Sequence, residues 1–287
     1  MFSSSSGRKV AFQVSGDPDG SPVLFFHGTP SSRLYVPPED ISRQEQAHVV
    51  TLDRPGYGLS DEAPSDLSIA AVTEEILSVV GSEVGAPIFV VGFSGGAPYA
   101  LASGAIRPNI VTSVAVVSGD APPRLPPEPS ELSPTELQLV RRVRSDPESA
   151  TELLARHAEA FARDPLVYLT KPVARPDAAI RARPAVREIL EASAREAGRQ
   201  GSTGLVTDWL LEILPWGFTL GEIERPVAVW YGTDDRGSAP RAAGRLLREI
   251  RTASDHRVEG GGHELVWTHW RQILQSLWTD KAVPAGR

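Results

Sequence analysis

The chain has 287 residues, 41% of them hydrophobic, a formal net charge of -7 and a pI near 5.5. That length can bury one large core, or a core plus an insertion, and the acidic balance offers no basic face for a nucleic-acid partner. Cysteine is absent, which excludes disulfides, thiolate metal sites and a cysteine nucleophile; with no apolar run near the ~18 residues that span a bilayer and no apolar signal core at the start, a cytoplasmic protein without membrane contact is expected.

Val10 to Val14 is predicted as a first strand, and the dense turn signal Gly16-Asp17-Pro18-Asp19-Gly20-Ser21-Pro22 predicts a hairpin into the fully apolar strand Val23 to Phe26. That strand runs into His27-Gly28-Thr29-Pro30-Ser31-Ser32-Arg33. A His-Gly after a buried strand makes a tight turn with a free backbone N–H just beyond it. His27 itself reads as a structural residue that pins this loop by hydrogen bonds. His48 to Leu52 is the next strand, followed by Asp53-Arg54-Pro55-Gly56-Tyr57-Gly58-Leu59-Ser60. Asp53 and Arg54 read as a charged pair bracing that loop. Ile69, Val72, Ile76, Val79 and Val80 fall at helical spacing, which predicts a helix over 68–84 with Ser68 as its N-cap.

Ile88 to Val91 is short, apolar and β-branched, the pattern of a strand buried on both faces. Gly92-Phe93-Ser94-Gly95-Gly96 follows and matches G-x-S-x-G. Ala97 to Ala105 is small and apolar enough to be a helix on a sheet, with Pro98 in its first turn, where a missing N–H does no harm. A serine between strand and helix, flanked by Gly92 and Gly96, has a mechanical reading: the chain reverses so sharply that only glycine fits on either side, and the hydroxyl is held up at the sheet edge. The helix N-terminus beneath it favours developing negative charge. The plainer alternative is an ordinary glycine-rich strand-to-helix turn.

Val111 to Val117 is another strand, ending in Ser118-Gly119-Asp120. Strand–His-Gly-Thr-Pro, strand–Asp-Arg-Pro-Gly-Tyr-Gly-Leu-Ser and strand–Gly-Phe-Ser-Gly-Gly–helix, in that order, resemble the α/β-hydrolase superfamily. The chain resembles the bacterial serine hydrolases whose oxyanion loop reads His-Gly-Thr-Pro followed shortly by Arg. The resemblance covers about residues 8–120 and 224–280. It implies an α/β fold with a mostly parallel eight-stranded sheet flanked by helices, and a helical cap inserted after strand 6. Residues 1–120 and 224–287 would be the core and 121–223 the cap.

The composition after Asp120 fits an insertion. Prolines at 122, 123, 126, 127, 129 and 134 read as a stiff linker. Helical patterns follow at Thr135 to Val143, Ala150 to Ala162, Ala178 to Ala197 and Leu205 to Leu214, with Ser133 and Ser145 to Ser149 as caps. Trp209 and Trp216 either pack the cap onto the core or, with Phe93, line an apolar substrate pocket. Strand and helix then alternate again: Val227 to Tyr231, Pro240 to Ile250, His256 to Val258, and a helix from Leu265 to about Trp278. The tail from Lys281 reads as frayed.

The superfamily order is Ser, then Asp or Glu, then His. His263 follows three glycines and opens the last helix, so it is the candidate base for Ser94. Asp235, three residues beyond Gly232, stands where the superfamily usually places its acid; Asp234 and Asp120 are the alternatives. The oxyanion donors would be the N–H groups of Thr29 and Gly95. The implied chemistry is acyl transfer needing no metal or organic cofactor, on a small-molecule substrate with an apolar portion, by a monomer or homodimer. Esters and lactones lead as substrates. Thioesters, amides and C–C bonds remain open, as does a non-hydrolytic lyase, cyclase or ligand-binding use of the same site. Serine at the elbow argues against the epoxide hydrolases and haloalkane dehalogenases of this fold, which carry Asp there.

Overall fold

The computed structural model describes residues 2–3, 7–63, 68–85, 87–122 and 134–279. The proline-rich stretch between Pro122 and Pro134, with the cap expected at Ser133, and the tail from Lys281 lie outside the described residues. In chain order the strands are β1 (Phe2–Ser3), β2 (Lys9–Val10), β3 (Phe12–Gly16), β4 (Ser21–Phe26), β5 (Ala47–Leu52), β6 (Ile88–Phe93), β7 (Val111–Val117), β8 (Val227–Gly232) and β9 (Ala253–Val258). The helices are α1 (Glu39–Gln44), α2 (Ile69–Val84), α3 (Ala97–Ile106), α4 (Pro134–Ser145), α5 (Pro147–Arg163), α6 (Arg175–Arg181), α7 (Pro184–Ala197), α8 (Thr203–Ile213), α9 (Ala239–Glu249) and α10 (Val266–Thr279).

The main sheet has the order β3-β5-β4-β6-β7-β8-β9, parallel except for β3, which runs antiparallel to β5. It has seven strands among the described residues where eight were expected, because β1 and β2 pair only with each other. The expected hairpin is also corrected. β5 lies between β3 and β4, so the 16–22 turn joins strands that are not neighbours. Gly16, at φ +84, sends the chain past the start of β5, where Asp17 N–H donates to Ala47 O at 2.9 Å.

Alternation along the buried strands builds two cores. Leu24, Phe26, Val50, Val90, Val114 and Val229 face α2, α3 and α9. Val23, Phe25, Val49, Val91, Ala115 and Ala228 face α1 and α10, where Trp270, Ile273, Leu274 and Leu277 cover them. Both faces of the central strands are therefore dry, which is why they read as continuous apolar runs. Ser68 caps α2 as expected, its hydroxyl accepting from Ala71 N–H at 3.1 Å.

Helices α4 to α8 all fall between β7 and β8, and a third cluster joins Val143, Leu154, Phe161, Leu205 and Leu210 to Tyr57 of the core. The single helix expected over 178–197 is two helices. Pro184 opens α7 because it cannot donate a backbone hydrogen bond inside a helix. No helix among the described residues is long and apolar enough to cross a membrane.

Candidate active site

In a parallel sheet the loops at the carboxyl ends of the strands gather along one edge. Here that edge brings together the loops after β4, β6, β8 and β9. Ser94 directly follows β6 and precedes α3, with φ +52. A left-handed serine is strained, and its two glycine flanks explain how the strain is tolerated. A Cβ on Gly92 would lie 2.5 Å from Gly96 O and 2.7 Å from Ala97 Cα, and one on Gly96 would lie 2.7 Å from His27 O. A larger residue at 92 would push against the start of α3, and one at 96 would push the turn off the end of β4. Pro98 sits in the first turn of α3, as its missing N–H allows.

His263 is brought to this serine. Its Nε2 lies 2.9 Å from Ser94 Oγ, and its Nδ1 lies 2.7 Å from Asp235 Oδ2. Of the three candidate acids, Asp235 is the one whose carboxylate meets the imidazole. The Asp120 carboxyl instead engages Ser238. Asp235 is fixed by Gly237 N–H, which donates to its other oxygen at 2.8 Å. Burial lowers the proton affinity of His263, but the hydrogen bond and charge of Asp235 outweigh it and leave the pKa above the ordinary 6.5. Burial likewise raises that of Asp235, and the hydrogen bond and charge of His263 reverse the balance, leaving it below 3.8.

The His263 loop is held from several directions. Ser118 Oγ donates to His263 O at 2.8 Å, and Phe93 packs beside the imidazole at 5.3 Å between ring centroids. Asp177 of α6 accepts from Glu264 N–H at 2.9 Å, while Arg181 Nε donates to Glu264 Oε1 at 2.8 Å. His269 lies away from this cluster, half-buried in α10 beside Trp230.

The His27–Thr29 loop lies against the elbow: a Cβ on Gly28 would sit 3.3 Å from Ser94 Cβ, and one on Gly95 would sit 2.8 Å from Thr29 Cβ. His27 is fully buried and burial drives its pKa well below 6.5, so the ring is neutral. Its Nδ1 pairs with Gly28 O at 2.8 Å, which assigns the proton to Nδ1. This is the pinning role expected of it. Asp53 and Arg54 brace loops as expected, but not with each other. Asp53 takes Arg33 N–H at 2.7 Å, Arg33 Nη1 at 2.5 Å and Leu59 N–H at 3.0 Å. Arg54 pairs with Asp208 of α8, Nη2 to Oδ2 at 2.6 Å.

A cavity of about 130 Å³ opens on Ser94 and His263. Phe93, Tyr35, Tyr168, Leu169 and Leu190 supply its apolar wall; Ser31, Ser193 and Arg181 add polar atoms. Phe93, a pocket candidate from the sequence, lies in the wall of this cavity. Trp209 and Trp216 are not. Trp216 is 3% exposed in the core with its Nε1 donating to Glu212 O, and Trp209 packs into the third cluster. Both follow helix-packing geometry that the apolar run 205–218 could not separate from a pocket wall.

Sequence reasoning missed Asp177, Asp208 and Glu212. Asp208 and Glu212 stand four residues apart in an otherwise uncharged helix, so they share a face. That spacing was the available signal. A Cβ on Gly95 would lie 3.1 Å from Glu212 Oε1. Burial, with repulsion from Asp208 and Asp120, holds the Glu212 carboxyl well above the usual carboxylate range. No group of three or more His, Asp or Glu side chains arranged to hold a metal occurs among the described residues.

A family model described as "Alpha/beta hydrolase family" matches residues 23–275. A search of curated proteins returned no match. Among solved structures, an esterase from Thermogutta terrifontis is similar with a TM-score of 0.65 and 18% identity, covering 97% of this chain and 95% of that one. A bromoperoxidase from Bacillus anthracis gives 0.68 and 18%, covering 98% of both chains. An enol-lactonase from Burkholderia xenovorans LB400 gives 0.69 and 14%, covering 98% of this chain and 99% of that one. At such identities these likenesses carry the fold alone.

Proposed function

The chain belongs to the alpha/beta hydrolase family, and from that premise we propose that it is a serine hydrolase cleaving small carboxylic esters or lactones. The carrying observation is the unbroken relay from Ser94 Oγ through His263 to Asp235, at 2.9 and 2.7 Å. These are the distances a nucleophile, its base and an orienting acid require. In this reading His263 Nε2 takes the Ser94 proton as Oγ attacks the carbonyl carbon, and the carbonyl electron pair moves to oxygen. The N–H groups of Thr29 and Gly95 stabilise that oxyanion. The electron pair returns, the C–O bond to the alcohol breaks, and His263 protonates the leaving oxygen. Water, activated by the now neutral His263, then hydrolyses the acyl-serine. Asp235 holds the imidazole tautomer throughout.

The cavity supports a short acyl group. Its volume of about 130 Å³ is close to that of an engineered apolar cavity, roughly 150 Å³, that accepts one benzene. Residues 121–223 serve as a cap in this reading, since Tyr168, Leu169 and Leu190 from that segment wall the cavity over Ser94. The test is hydrolysis of p-nitrophenyl esters from acetate to dodecanoate. The expected optimum is among the shortest esters, and Leu190→Ala should move it to longer chains by opening the wall. A wild-type optimum at dodecanoate would contradict the reading.

A further inference from the structure

The most heavily engaged carboxylate in the described molecule lies outside the relay. Asp208 is 2% exposed, on α8, and takes five donors. Arg54 Nε reaches Oδ1 at 3.1 Å and Arg54 Nη2 reaches Oδ2 at 2.6 Å. Tyr99 OH donates to Oδ1 at 2.9 Å, and Tyr57 OH to Oδ2 at 2.9 Å. The fifth is Thr29 Oγ1, which donates to Oδ2 at 2.7 Å.

Two of these donors lead to the loop beside Ser94. Arg54 is fully buried, and its guanidinium, set by Asp208, donates to His27 O, to Gly28 O at 3.1 Å and to Thr29 Oγ1 at 2.9 Å. His27 Nδ1–H adds a second donor to Gly28 O. In a planar trans peptide the C=O and the N–H point in opposite directions. Drawing Gly28 O toward Arg54 and His27 therefore turns the N–H of Thr29 away from them. That N–H has no hydrogen-bond partner among the described residues. The Thr29 side chain is tied to the same carboxylate, so the residue is held at both its peptide and its hydroxyl.

We propose that Asp208 is a positioning residue: from the inserted helix it fixes, through Arg54 and the Thr29 hydroxyl, the direction of the Thr29 N–H that receives the oxyanion. This rests on the hydrolase reading above. The helical segment then serves the chemistry as well as walling the cavity.

Asp208→Asn leaves the Arg54 charge buried and unpaired and can unfold the chain, so the decisive variants spare that pair. Thr29→Val keeps the shape and the backbone N–H but removes the hydroxyl; Thr29→Ser keeps the hydroxyl. Tyr57→Phe and Tyr99→Phe each remove a hydroxyl donor from the same carboxylate and keep the ring, so the edge-on contact of Tyr57 with His27 at 5.6 Å stays in place. With p-nitrophenyl butyrate, Thr29→Val should lower kcat about tenfold or more with KM within about twofold, part of the ~10²–10³ that one oxyanion donor supplies. Thr29→Ser should restore kcat. The two Phe variants should lower Tm yet keep kcat within about twofold of wild type. Unchanged kcat in Thr29→Val, or equal kcat losses in Thr29→Val and Tyr99→Phe, would overturn the proposal while leaving the hydrolase reading intact. Absence of Ser94-dependent turnover in the wild type would remove both.

Discussion

His263 is pulled in two directions, and the outcome sets a pH dependence. Burial disfavours the imidazolium, but Asp235, helped by the charges of Glu264 and Asp177, holds the pKa above 6.5. A general base must be neutral, so kcat/KM should fall as pH drops through that raised value. Asp235→Asn removes the main raising cause. The acidic limb should move to lower pH and kcat should fall on the order of 10⁴-fold, because the imidazole tautomer is lost. Asp120→Asn should leave the limb in place; a shift in that variant instead would reassign the acid. The same two shifts also make stability depend on pH, with the opposite sign for His263. The raised His263 contributes stability that is full below 6.5 and lost as pH rises through its folded value. The lowered Asp235 contributes stability present above 3.8 and lost as pH falls through its folded value. At this scale Ser94, Asp235 and His263 were legible because each sits in a glycine-marked turn whose local chemistry names its place. Asp177 and Asp208 were not, because their contacts are with loops 87 and 179 residues away in sequence.

Elements divide in the same way. Strands buried on both faces and the Ser68-capped α2 were legible, since period and capping are local properties. The helical segment was legible as helices and not as a surface. An apolar run such as 205–218 does not say which of its side chains meets the core and which meets a cavity. Trp216 meets the core, packed with Phe218 at 6.0 Å between ring centroids. Trp216→Ala should therefore cost about 3–5 kcal/mol in urea unfolding, the usual loss for a buried aromatic, with acyl-length preference unchanged. A shifted preference at wild-type stability would return Trp216 to the pocket wall.

For the whole molecule, the resemblance implied a mostly parallel sheet, but strand order was the weakest inference. A strong turn between two apolar strands argues for a hairpin, yet β5, later in the chain, occupies the place between β3 and β4. Which strands become neighbours is decided by how both faces are covered, and no window of sequence carries that information. The finished topology does explain why the site is where it is. Four parallel strands deliver the His27 loop, Ser94, Asp235 and the His263 loop to one edge, where Asp208 of α8 holds the first of these and Asp177 of α6 the last. Whether Ser94 is the nucleophile of this edge is tested by p-nitrophenyl butyrate hydrolysis with wild type and Ser94→Ala at matched Tm. A loss of at least about 10³-fold in kcat is expected, since the oxyanion donors and binding alone leave only residual catalysis. Turnover in Ser94→Ala within tenfold of wild type would contradict the account.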